Sequence, residues 1–439
     1  MRKKLENNVC IIGLGFVGLT LAVSMASKGF TVYGIEKNKK ILNKIKKGKP
    51  HFFEPNLEKK LSNLVKRKKI FFFNKLNLDL SCNTYIITVG TPIDKSKKII
   101  TNYIKDTSEE VSKFLKNEDL VILRSTVKIG TTRKIVKPIL DKSKKNYSLS
   151  FCPERTLEGA ALKELNYLPQ IIGGIDNKSK LKSKKIFSKI TKTIIEVSSL
   201  EVSEMIKLVD NSNRDVKFAY SNEVARICDS LSINAQEVIK MGKFKYPRTN
   251  LPSPGLVGGP CLEKDPYIFT SSITNPKLKA ELTSYSRLIN ERQPFESIKY
   301  LKNKFFKDTK DKTIKISVVG LAFKGFPETN DVRGSMSYKI IKAINNNFLK
   351  SNIFGYDPLV SDEDFKSFKV KKCNTIQDAF KNKDLVIFAN NHSSFKKIDL
   401  FKISKKLNKN SIVYDFWSNL KNKNNMLRNS KYIQLGNHI

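Results

Sequence analysis

The stretch VCIIGLGFVGLTLAVSMASKGFTVYGIEKN, Val9 to Asn38, decides the fold class. Val9 to Ile12 is an apolar run of strand length. Gly13, Gly15 and Gly18 follow as GxGxxG, Leu19 to Ser27 carries a helical apolar face, and a second apolar run ends at Glu36. The glycines have separate jobs: a tight turn, close approach of backbone to a pyrophosphate, and close packing of helix on strand. Phosphates then sit at the helix N-terminus, where free amides and the dipole favour negative charge. Glu36 closes the second strand about twenty residues on, where a carboxylate accepts hydrogen bonds from ribose hydroxyls and repels a 2′-phosphate. The pattern is a strand–turn–helix–strand unit for a dinucleotide, NAD in preference to NADP, with Lys37 beside Glu36 weakening that preference.

Outward from this unit, TYIITVGTP (Thr84 to Pro92) and DLVILRSTVKIGTT (Asp119 to Thr132) read as buried strands whose endings, including Thr91 and Thr126, face a ligand beyond the sheet. From Ser199 the pattern turns helical. Met205, Leu208, Val209, Val216, Ala219, Tyr220, Val224 and Ile227 recur at the spacing of a long amphipathic helix. KISVVGLAFKG (Lys315 to Gly325), IFGYDP (Ile353 to Pro358) and DLVIFANN (Asp384 to Asn391) then restart a degenerate nucleotide-binding unit. The expected architecture is α/β, with an N-terminal Rossmann domain over 1–198, a central helical region over 199–299, and a C-terminal Rossmann-like domain over 300–439.

The 439 residues, 40% hydrophobic and 28% charged, suit a soluble chain of about three domains. Lys+Arg 82 against Asp+Glu 41 leaves a net charge of +41. The lysines are scattered in short groups such as KIKKGK and KSKK with abundant Asn, Ile and Phe, so they describe composition and not a nucleic-acid patch. The same field still attracts a polyanionic small substrate. Six cysteines, at 10, 82, 152, 228, 261 and 373, form no CxxC pair and no metal-ligand spacing, the pattern of a reduced, cytoplasmic chain without a metal. MRKKLENN runs into an apolar stretch too short and too glycine-rich for a signal core, and nothing approaches the roughly twenty apolar residues of a membrane span.

One further stretch, GGPCLEKD (Gly258 to Asp265), sets a cysteine directly after a Gly-Gly-Pro turn and a lysine and an aspartate within four residues of it. Alone it is a turn with a small apolar filler. In company it is more. GLGFVGL, GKPHFFEPNL, VGTP, STVKIGTT, FCPERTLEGAAL, EMIKLVDNSNRDVKFAYSNE, GLVGGPCLEKDP and GLAFKGFPETNDVRGS follow one another in an order that resembles the UDP-glucose/GDP-mannose dehydrogenase family of nucleotide-sugar 6-dehydrogenases.

The resemblance implies an NAD-binding domain, a helical dimerisation core and a UDP-binding domain. It also implies a four-electron oxidation of a UDP-sugar to a UDP-uronic acid, through a cysteine thiohemiacetal and thioester, for polysaccharide synthesis. By that likeness Cys261 is the nucleophile, Lys207 stabilises the oxyanion, and Asn211, one turn along, aims at the same carbon. Asp265 stands beside the nucleophile, and Glu154 with Thr126 handles the proton or the hydrolytic water. Gly13, Gly15, Phe16, Val17, Gly18, Glu36, Thr91, Thr126 and Lys324 are the cofactor positions. Glu154, Arg155, Glu158, Lys207, Asn211, Arg248, Gly258, Lys324 and Arg333 are the substrate positions.

PERTLEG and NSNRDVKFAYSNE point to the UDP-N-acetylhexosamine branch, whereas Pro260 before Cys261 and Lys264 before Asp265 look like the UDP-glucose type. Two other readings stand beside the first: a two-electron hydroxyacid-type dehydrogenase, which has no use for Cys261, and a non-catalytic basic relative.

Overall fold

Val9 to Ile12 goes to the middle of a parallel sheet because it is apolar on both faces. In the computed structural model β1 (Asn8–Ile12) pairs with β2 (Thr31–Ile35) on one side. Val9 and Ile11 enter one hydrophobic cluster and Cys10 and Ile12 the other, as the two-residue alternation of a strand requires. The other six strands are β3 (Ile70–Phe73), β4 (Thr84–Ile87), β5 (Leu120–Leu123), β6 (Ser148–Phe151), β7 (Gln170–Gly174) and β8 (Ile194–Glu196). Their order in the sheet is β3-β2-β1-β4-β5-β6-β7-β8, with β6 and β7 antiparallel and the other pairs parallel. Strand order reverses between β1 and β4, which opens a crevice at their carboxyl ends.

The structure describes residues 7–77, 80–94, 96–307, 312–420 and 430–438. Met1 to Glu6, the basic lead-in read above as no signal segment, lies outside them. The chain forms two units, one of residues 1–210 and 267–279, the other of 211–266 and 280–439. The second unit has its own parallel sheet, built of β9 (Ile314–Val319), β10 (Ser351–Tyr356), β11 (Lys371–Lys372), β12 (Leu385–Phe388), β13 (Ser411–Asp415) and β14 (Ser430–Gln434) in the order β11-β10-β9-β12-β13-β14. Both Rossmann-type units expected from the sequence are present. No helix among the described residues is long and apolar enough to cross a membrane.

The turns after β1 and β9 differ at their third residue, Gly15 in the first and Ala322 in the second. Gly13 has φ +91 and a Cβ there would lie 3.0 Å from Val89, while a Cβ on Gly15 would meet nothing within 4 Å. That open space faces the N-terminus of α1 (Phe16–Ser27), which no side chain caps. In both turns a carboxylate at the end of the second strand takes the amide of the second turn residue, Glu36 from Leu14 N (3.0 Å) and Asp357 from Leu321 N (2.7 Å); after β9 Asp357 Oδ2 also accepts from Ala322 N (3.0 Å).

The long helix expected after Ser199 runs from Leu200 to Ser230. Its faces are the reverse of an ordinary amphipathic helix. Leu208 and Ala219 are buried, but Met205, Val209, Tyr220 and Ile227 are 38%, 44%, 54% and 53% exposed. The buried side carries Ser203, Glu204, Lys207, Asn211, Ser212, Asp215, Ser221 and Asn222. Polar groups win that side because partners meet them: Glu204 meets Gly130 and Thr132, and Asn211 meets Asp265.

Candidate active site

In the first unit the crevice beyond β1 and β4 fits a dinucleotide. Thr88 Oγ1 donates to the carbonyls of Ile12 (3.0 Å) and Gly13 (2.7 Å), and a Cβ on Gly18 would stand 2.0 Å from Gly13 O, so only glycine lets α1 approach. Phe16 and Val17 open α1 directly after the Gly15 gap. Glu36 is held at the end of β2 by two backbone donors, Leu14 N to Oε2 (3.0 Å) and Asn38 N to Oε1 (2.8 Å). Lys37 pairs with Glu110 at 3.2 Å, so its charge is partly neutralised and weakens the preference for a 2′-hydroxyl less than its position suggests. Thr91 Oγ1 donates to Thr126 O at 2.6 Å, and Ser125 Oγ donates to Val89 O at 2.6 Å. The loops after β4 and β5 are thereby tied together, with Thr126 half-buried between them.

Glu154 lies just beyond β6, fully engaged. Its Oε2 accepts Arg124 Nε (3.3 Å) and Nη2 (2.7 Å), and its Oε1 accepts the amides of Arg155 and Thr156 at 2.8 Å each. Burial opposes its charge, but Arg124, the Thr156 amide and the nearby Lys207 ammonium outweigh it and hold the carboxyl below its ordinary range. It is ionised. Lys207, on the buried side of the long helix, therefore faces a carboxylate and not solvent. Arg155 Nε bonds Asp210 Oδ2 at 2.8 Å. The Glu158 loop is anchored by Glu54, which accepts from Gly159 N (2.7 Å) and Leu162 N (3.2 Å). Glu204 accepts from Gly130 N (2.5 Å), Thr132 N (2.9 Å) and Thr132 Oγ1 (2.6 Å), fastening the helix of Lys207 to the loop of Thr126.

In the second unit Cys261 stands exposed in the single turn Gly259–Leu262, while the other five cysteines are buried and none of the six is in a disulfide. Pro260 suits the first turn, where its missing N–H is not needed. Gly259 has φ +92, and a Cβ there would stand 2.3 Å from the Phe323 ring. A Cβ on Gly258 would meet Gly334 O at 2.3 Å, and Gly259 N donates to that same carbonyl at 2.8 Å. The Gly-Gly pair is thus what lets the cysteine turn lie against the Leu321–Ser335 loop. Asp265 is completely buried; Asn211 Nδ2 donates to its Oδ2 (2.5 Å) and Lys264 Nζ to its Oδ1 (2.9 Å).

In that loop Lys324 Nζ lies 5.5 Å over the Phe323 ring, and Arg333 Nε donates to both oxygens of Asp331 (3.0 and 2.8 Å). Arg248 contacts Tyr246. It is exposed, with Nε 3.0 Å from Tyr246 Oη.

Sequence reasoning passed over Arg124, Glu54, Glu204, Asp215 and Arg287, all buried. Four of them sit inside motifs already quoted: Glu54, a carboxylate in the aromatic run HFFEP, Arg124, at the end of the apolar LVIL, and Glu204 and Asp215, in EMIKLVDNSNRDVKFAYSNE.

Comparison with known proteins shows the family. Profiles of the UDP-glucose/GDP-mannose dehydrogenase family match in chain order, its NAD binding domain at residues 7–191, central domain at 201–292 and UDP binding domain at 317–422. A protein of Methanococcus vannielii named UDP-N-acetyl-D-mannosamine dehydrogenase is 32% identical over 94% of this chain and 93% of its own length. One of that name from Campylobacter jejuni is 32% identical over 76% and 83%. The solved structure of the Pyrococcus horikoshii UDP-D-ManNAc dehydrogenase superposes with a TM-score of 0.87 at 27% identity, covering 98% of this chain and 99% of that one.

Proposed function

The chain belongs to the UDP-glucose/GDP-mannose dehydrogenase family, and from that premise we propose that it oxidises UDP-N-acetylmannosamine, or a close UDP-N-acetylhexosamine, to the uronic acid. It is an NAD-dependent nucleotide-sugar dehydrogenase. The observation that carries the four-electron reading is the exposed Cys261, set on a turn that only the Gly258-Gly259 pair permits. The relatives' names and the PERTLEG stretch support the sugar. The product would serve surface polysaccharide, and six cysteines with no disulfide among them suit a cytoplasmic setting.

NAD, held by the Gly13–Gly18 turn and Glu36, supplies the hydride acceptor for each of two oxidations. The Lys207 ammonium steadies the alkoxide as the sugar's primary alcohol becomes an aldehyde. The Cys261 thiolate then adds to the aldehyde carbon, since a thiohemiacetal donates hydride where a free aldehyde does not. Its oxidation leaves a thioester, and one water expels the thiolate and yields the carboxylate. Asn211 and Asp265 orient the substrate carbon against the sulfur. Glu154, ionised and already accepting four hydrogen bonds, serves as a fixed charge that holds water beside Thr126 and not as a strong base. Arg155, Glu158, Lys324, Arg333 and Arg248 are assigned to the nucleotide-sugar, and the three-part division at 198 and 299 is kept as the functional one.

The test is a panel of UDP-N-acetylmannosamine, UDP-N-acetylglucosamine, UDP-N-acetylgalactosamine, UDP-glucose and GDP-mannose, read by NADH absorbance. UDP-N-acetylmannosamine should turn over best, with about two NADH per sugar. Preference for UDP-glucose would move the substrate to the other branch, and one NADH per sugar would favour a two-electron dehydrogenase.

A further inference from the structure

The turn that carries Cys261 is held from behind by a side chain on another helix. Arg287, 2% exposed on the helix Glu281–Phe305, directs Nη2 to Val257 O (2.9 Å) and Nη1 to both Leu262 O (2.8 Å) and Asp215 Oδ1 (2.7 Å). Val257 and Leu262 bracket Gly258–Cys261. The Leu262 carbonyl ends a four-residue helix and has no partner within it, so the guanidinium caps it. Asp215 is fixed in turn by Asn290 Nδ2, which donates to its backbone oxygen (2.9 Å) and its carboxylate (3.0 Å). Asn222 donates to Asn290 Oδ1 (2.9 Å) and exchanges two hydrogen bonds with Gly255 (2.9 and 3.0 Å), where the loop begins.

We propose that Arg287 is the positioning residue for the Cys261 nucleophile, setting the turn through the Val257 and Leu262 carbonyls; the proposal rests on the thioester reading above. Peptide planarity transmits the hold. With the Val257 carbonyl turned to the guanidinium, the Gly258 N–H must point the opposite way. The direction of this amide next to the nucleophile is therefore set by a residue that touches neither substrate nor cofactor. Arginine is required because three acceptors at fixed angles need a planar fork, and a lysine ammonium cannot span both carbonyls and the carboxylate in that geometry. A merely structural ion pair would change stability and leave the chemistry of the sulfur alone.

The experiment follows iodoacetamide alkylation of Cys261 by peptide mass spectrometry from about pH 6 to 9, in the full-length parent, Arg287→Lys and Arg287→Gln, beside NAD affinity and the melting transition. Arg287→Lys should keep cooperative melting and NAD binding. Its Cys261 alkylation should slow, or its pH profile move, by about 10- to 100-fold, the scale of a small misplacement at a reacting centre. Arg287→Gln should be affected more. In substrate turnover the second oxidation should suffer more than the first.

Alkylation of Arg287→Lys at the parent rate and pH profile would overturn the proposal. Should the Arg287 variants not fold, Asn290→Ser loosens Asp215 while keeping the guanidinium, and the same two outcomes decide. A Cys261→Ser protein that still yields two NADH per sugar would overturn the thioester reading itself, a result separate from the alkylation comparison.

Discussion

Cys261 differs from the other five cysteines in a property that substitution can test. Burial pushes the Cys152 thiol up to about 12 and raises Cys10 and Cys228 as well, so these sulfurs are held as inert thiols. Cys261 alone is exposed. Cys261→Ser should therefore release about one NADH per site and stall, because the alkoxide ester that replaces the thioester forms and hydrolyses far less readily. Serine at Cys10, Cys82 or Cys228 should cost about 1 kcal/mol of stability and leave turnover intact. Sustained uronic acid release by Cys261→Ser at the parent rate would return GGPCLEKD to a simple turn.

Glu36 carries a second residue-scale expectation. Its position at the end of β2 leaves a carboxylate facing the place of a 2′-phosphate, so the parent protein should use NADP poorly. Glu36→Gln should lose the charge-assisted hydrogen bonds to the ribose, worth about 1.5–3 kcal/mol, and so lower kcat/KM for NAD roughly 10- to 100-fold while NADP gains. Equal efficiency of the parent with both cofactors, measured as kcat/KM, counts against the assignment. These residues were readable because motif spacing places them relative to a glycine turn. Arg287, Asp215 and Glu54 were not, since a charged residue on a helix or in a loop reads as solvated until tertiary structure supplies its partners.

At the scale of elements, the parallel strands were legible as apolar runs between glycine, threonine and serine endings, and β1, β4, β5, β9 and β12 lie where those runs fall. What the pattern concealed was the direction of the long helix. Apolar residues at helical spacing ordinarily face the core. Here Glu204, Lys207, Asn211 and Asp215 take the inward side, and three of them are tied to a loop or helix: Glu204 to Gly130 and Thr132, Asn211 to Asp265, Asp215 to Arg287 and Asn290. A helix whose inward face consists of working polar groups leaves its apolar residues outside. The second Rossmann-like unit shows the same logic at a turn. Asp357 takes the Leu321 and Ala322 amides as Glu36 takes the Leu14 amide, so the strand–turn–helix form is fastened by a carboxylate at the end of the second strand in both units.

At the scale of the whole molecule that outward apolar stripe carries a prediction, that a second copy of the chain covers it. Val202, Met205, Val209, Tyr220 and Ile227 are each more than a third exposed along one helix, and Leu282, Tyr285 and Leu288 repeat the pattern on the helix Glu281–Phe305. A two-fold dimer covers such a face economically, because the same patch meets itself. The rule also makes disruption efficient, since every substitution enters the interface twice. Burying an apolar side chain contributes about 1.5–3 kcal/mol, so Val209→Glu with Tyr220→Glu should remove roughly 6 kcal/mol or more and set like charges against one another. At about 1.4 kcal/mol per tenfold, that raises the dimer dissociation constant by about 10⁴ or more. Light scattering at micromolar concentration should then find a dimer or larger assembly for the parent and a monomer for the double variant, with the monomer still binding NAD through the Gly13–Gly18 turn. A monomeric parent, or a double variant that stays assembled, would show that this stripe is not the interface.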